Sequence, residues 1–139
     1  MSGPGPLRPE ELDRLSAADP EARAAWMLED CARSEEAWLL RDDAGWVLQK
    51  LANAPACRSP YALPVWPRQE LAAMAARDAG DRPERVDLED LIEEVLPEVA
   101  GRGWHCLAFP GADGGLALEP GDLAERLGRA WSELEDDGE

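Results

Sequence analysis

Leu63-Pro64-Val65-Trp66-Pro67 is the stretch that most restricts how this chain can fold. An apolar run this short has the length of a strand rather than a helix, and a closing proline both stops the run and can open a helix. The stretch predicts a buried strand over 61–66 that passes directly into a helix over 68–78, with Leu71, Met74 and Ala75 on its inner stripe. Upstream, Ala37-Trp38-Leu39-Leu40 and Gly45-Trp46-Val47-Leu48-Gln49 flank the acidic segment Arg41-Asp42-Asp43-Ala44 and predict a β-hairpin. The simplest pairing sets 61–66 beside the second strand of that hairpin.

Helix signals fill most of the remainder. Pro9 to Ser16 spaces Leu12 and Leu15 for a short helix. Asp19-Pro20-Glu21 is a helix start, with an aspartate cap, proline at the first helical position and an acid near the positive dipole end. That helix should reach Arg33 with Ala22, Ala25, Trp26 and Leu28 inward, and Ser34-Glu35-Glu36 should break it. The 79–83 segment should end the helix begun after Pro67.

The clearest helix opens at Asp87, with Asp90 in a capping-box-like position and Val86 placed to staple Leu91. Leu88, Leu91, Ile92, Val95, Leu96 and Val99 recur at helical spacing as one stripe. The outer face carries Asp87, Glu89, Asp90, Glu93, Glu94 and Glu98 with no base among them. Gly101-Arg102-Gly103 then turns into a strand over 104–109, and a turn at 110–115 leads to a short strand at 116–118. Pro120 opens a last helix to about Leu134, with Leu123, Leu127, Ala130, Trp131 and Leu134 core-spaced.

These elements imply an α+β domain: a mixed or antiparallel sheet of about five short strands flanked by three to four helices. A flexible Pro/Gly-rich start is expected over 1–18, a single domain over 19–134 and an acidic tail over 135–139. Charge narrows the partners. Thirty acids against fourteen bases give a net charge of −16, which repels phosphate backbones and anionic membrane surfaces. It favours solubility and fast association with a basic protein partner. No apolar run approaches the roughly 20 residues of a membrane span, and the first residues lack a signal peptide's basic start and apolar core, so a cytoplasmic location is expected.

Chemistry-bearing patterns are scarce. His105 is the single histidine, and its neighbour Cys106 points to the opposite face of the same strand, so the two cannot share a metal. Cys31, Cys57 and Cys106 show no CxxC spacing and are expected as free thiols. No GxSxG, GxxxxGK, GxGxxG or EF-hand pattern is present, and Asp113-Gly114-Gly115 falls where a hairpin turn is expected. Neither cofactor, metal nor catalytic residue is expected from this set. Of six tryptophans, Trp26, Trp104 and Trp131 lie on apolar stripes. Trp38, Trp46 and Trp66 lie on adjacent strands, as a cluster that helices cover or that serves recognition.

The order Trp38-x-Leu40, Asp43-x-Gly45-Trp46, Leu63-Pro64-Val65-Trp66-Pro67, Val86-Asp87-Leu88, Leu96-Pro97 and Phe109-Pro110 resembles the bacterial family called domain of unknown function 2750. The resemblance covers about residues 20–130. The strand-to-proline-to-helix step is also similar to the N-terminal domain of SseB-like proteins, which carry Leu-Pro-Val-Phe-Thr there. The resemblance implies a small stand-alone cytoplasmic protein and brings no catalytic residues with it.

Size, charge and missing chemistry point to a binding protein, in the manner of an immunity protein or inhibitor of a basic partner. The residues that would carry the contact are Asp87, Glu89, Asp90, Glu93, Glu94 and Glu98. The alternative is a small-ligand sensor or enzyme with a pocket between sheet and helices near His105.

Overall fold

The computed structural model describes residues 8–50, 61–76, 80–111 and 114–137. Residues 1–7, the 51–60 segment with Cys57, the expected helix end near Asp78, Asp113 and the final two residues lie outside that description. The architecture is α+β, as the patterning implies, but the strands form two sheets rather than one. In the first, β1 (Glu36–Asp42) lies between β2 (Gly45–Trp46) and β5 (Arg82–Asp87), antiparallel to both. In the second, β4 (Tyr61–Val65) lies between an antiparallel β3 (Gln49–Lys50) and a parallel β6 (His105–Gly111). Strand β7 (Gly114–Leu118) completes that sheet, antiparallel to β6. The two sheets meet where Trp38 and Trp66 exchange backbone hydrogen bonds of 2.8 and 2.9 Å.

The hairpin forms as its turn residues require. Asp42 Oδ1 accepts from the amides of Ala44 (2.8 Å) and Gly45 (3.1 Å), closing an Asx-type turn. Gly45 has φ +133, a conformation that a side chain resists. The second arm is shorter than expected: β2 ends at Trp46, and Gln49 and Lys50 pair with β4 in the other sheet. Pairing of 61–66 with the hairpin's second strand is therefore confined to two residues, and the longer ladder of β4 runs parallel to β6. Proline at position 64 fits because β3 reaches only Ala62 and the Trp66 bridge lies two residues on.

Strand β5 occupies a segment expected to be a helix end and a cap. Arg-Pro-Glu-Arg-Val-Asp has no apolar alternation, and an edge strand with a neighbour on one side tolerates both proline and charge.

The helices pack around these sheets. α1 (Pro9–Ala17) sets Leu15 against the core. α2 (Pro20–Ser34) starts as expected, with Asp19 Oδ1 accepting from Ala22 N at 2.8 Å, and ends on Glu35 in the left-handed region. Its buried face is a correction. Arg23, Ala24, Met27, Asp30, Cys31 and Ala32 are inward, whereas Ala22 and Ala25 are exposed and Trp26 and Leu28 half-buried. A search for an apolar stripe passes over a face whose members include an arginine and an aspartate. α3 (Gln69–Ala75) buries Leu71 and Ala72, but Met74, assigned inward from spacing, is 70% exposed.

The helix after β5 is composite: α4 (Leu88–Asp90), a π-helical turn (Leu91–Val95) and α5 (Leu96–Gly101). The amide of Leu96 donates to the carbonyl of Leu91, five residues back. Pro97 follows at once; it supplies no N–H and its ring crowds the carbonyl four residues earlier, so a widened turn is favoured there. The extra residue rotates the stripe. Leu88, Leu91, Leu96 and Val99 are fully buried, while Ile92 and Val95 are half-buried at its edge. α6 (Pro120–Asp137) covers α2 and the sheet with Leu123 and Leu127 buried, and Trp131 and Leu134 half-buried.

Candidate functional site

The outer face of the 88–101 helix is built by the inner one. Once Leu88, Leu91, Leu96 and Val99 are sealed in the core, Glu89, Asp90, Glu93, Glu94 and Glu98 have only solvent to face, and all are exposed. Asp87, the last residue of β5, is exposed at the head of this face. It holds the N-cap backbone geometry (φ −60, ψ 143) but makes no side-chain cap, a correction to the capping expectation. Its carboxylate instead accepts from Arg85 Nη1, while Arg85 Nε donates to Glu36 at 2.6 Å. Those two carboxylates, Glu36 first, hold the Arg85 guanidinium above its ordinary pKa range.

The face is thus neutralised at both ends and bare in the middle. Glu98 pairs with Arg102 one turn on, at 3.3 Å. Six unpaired acids were expected from sequence, but Asp87 and Glu98 have partners, from the preceding strand and the following turn. Glu89, Asp90, Glu93 and Glu94 form no ion pair among the described residues. Glu93 and Glu94 sit on the π turn itself.

His105 opens β6 and is 8% exposed. Its Nε2 lies 3.5 Å from Glu119 Oε1, and its buried Nδ1 has no hydrogen-bond partner among the described residues. Cys106, next along the strand, is a free, buried thiol whose pKa is pushed up to about 12, by burial first and then by Glu119. Cys31 is also free, and burial with the nearby Asp30 and Glu36 pushes its thiol up further. A protonated, enclosed thiol is a poor nucleophile and a poor metal ligand. Among the described residues no group of three or more His, Cys, Asp or Glu is placed to hold a metal ion.

The sequence reading missed a polar cluster inside the fold. Asp30, 1% exposed, accepts from Arg68 Nε at 2.9 Å and from Arg68 Nη2 at 3.0 Å, a two-pronged bond between α2 and the start of α3. The Arg68 guanidinium also lies over the Trp26 ring, 5.5 Å from its centroid. Arg23, equally buried, donates to the carbonyls of Ala18 (3.0 Å) and Phe109 (3.3 Å). Phe109 has φ +47, an uncommon conformation for a bulky residue, at an irregularity in the β6–β7 register. Trp26 packs at 6.0 Å from its ring, and Trp66 Nε1 donates to the next carbonyl, Pro110 O, at 3.4 Å. The one available signal was Arg23 and Asp30 seven residues apart, hence on one helix face.

The expected tryptophan cluster divides by environment. Trp66 is fully buried, while Trp38 and Trp46 are half-buried. Trp38 Nε1 donates to Glu36 at 2.8 Å, and Arg41 covers Trp46 at 5.1 Å.

Residues 24–127 match the family described as a protein of unknown function, DUF2750. The chain belongs to the DUF2750 family. No curated protein and no solved structure matches it. Several residues that carried the resemblance to DUF2750 have structural duties here. Trp66 is the bridge between the sheets, Pro97 follows the π turn, and Phe109-Pro110 forms the register break that Arg23 and Trp66 hold.

Proposed function

We propose that this DUF2750 member acts by binding a basic protein partner through the exposed face of the 88–101 helix, as an immunity protein or inhibitor would. One observation carries the reading: Glu89, Asp90, Glu93 and Glu94 are exposed within six consecutive residues and have no ion pair among the described residues. Like charges three and four residues apart cost a few tenths of a kcal/mol per pair in a helix, so the helix would be more stable with bases interspersed. A field concentrated in this way accelerates encounter with a cation-rich surface. Asp87 and Glu98, already held by Arg85 and Arg102, frame the contact. Nucleic acid is an unfavourable partner for the same electrostatic reason, and the partner would be met in the cytoplasm.

The test is capture from the host with wild-type and Glu89→Lys/Glu93→Lys baits, followed by association kinetics of the captured protein at two salt concentrations. The double variant should fold normally and lose the partner, and the wild-type association rate should fall steeply with salt. An equal association rate for the two baits would reduce this face to a solubility feature.

A small-ligand sensor or enzyme near His105 is the second reading, favoured by the buried Nδ1 that lacks a hydrogen-bond partner among the described residues. Such a group invites an external donor. A thermal-shift screen in which a compound stabilises the wild type and leaves His105→Ala unmoved would decide for it.

A further inference from the structure

We draw no further inference here: the strongest candidate, the buried Arg23, Asp30 and Arg68 cluster around the left-handed Phe109 at the C-terminal ends of β4 and β6, makes its described bonds to carbonyls and a carboxylate of the fold itself, and nothing in the structure shows a ligand against it.

Discussion

Replacing Arg68 with methionine should cost this protein about 3–5 kcal/mol, the usual loss when one member of a buried ion pair is removed. The size follows from where the two groups sit. The Asp30 side chain is 1% exposed and that of Arg68 13%. The carboxylate cannot regain water when its partner is lost. Methionine keeps an apolar stem of similar length against Trp26, so the packing that the arginine supplies is largely retained and the lost bond dominates. For a chain of this length, a loss of that size corresponds to a fall in Tm of about 10–20 °C. Removing both charges, as Asp30→Leu with Arg68→Met, should recover most of the loss, because no buried carboxylate is then left unpaired. Arg129 and Glu125 provide the contrast: both are more than half exposed at 3.0 Å separation, and Arg129→Met should be indistinguishable from wild type. Urea titrations of Arg68→Met, Asp30→Leu, the double variant and Arg129→Met, with the first three and wild type forming a double-mutant cycle, are the assay. A loss below about 1 kcal/mol for Arg68→Met, or a double variant less stable than either single one, would refute the reasoning.

Other expectations follow from the same geometry. Leu91→Ala should lose about 2–5 kcal/mol in urea, since Leu91 is fully buried where the π turn begins; a negligible loss would mean that the helix faces otherwise. Gly115→Ala would place a Cβ 2.9 Å from the Pro110 Cα, backbone that cannot swing aside, and should cost about 1–3 kcal/mol by thermal melt. Cys31 and Cys106 should resist a thiol reagent at neutral pH in the native protein and react once it is unfolded, as peptide mapping by mass would read. Because folding raises both thiols, the unfolded chain loses those protons first. Their contribution to stability is full below the free-thiol pKa of about 8.5 and is lost as pH rises towards 12, which alkaline melts of Cys106→Ala against wild type should show as a shallower decline.

Local chemistry fixed many of the elements. Asp19-Pro20 at the head of α2, the Asp42–Gly45 turn, the buried run of β4 and the proline start of α6 each obey short-range rules that need no knowledge of the rest of the chain. The exposed position of the acidic face was legible for the same reason, because a stripe of leucines at helical spacing leaves the other side to water.

Tertiary structure decided what depends on partners remote in sequence. β5 is a strand because β1 supplies its ladder, although its own residues are charged and include a proline. β4 and β6 run parallel because the intervening chain leaves to build the other sheet and returns, a route that no local pattern encodes. Arg23 and Asp30 face inward because the Phe109 carbonyl and the Arg68 guanidinium are there to receive them; 86 and 38 residues of separation hide both bonds from any reading of the sequence. Arg85 and Arg102 likewise leave four of the six acids without an ion pair among the described residues, the first acting from a strand whose existence the sequence did not disclose. Periodicity reports which side chains avoid water, whereas pairing between distant polar groups depends on which surfaces the fold brings together.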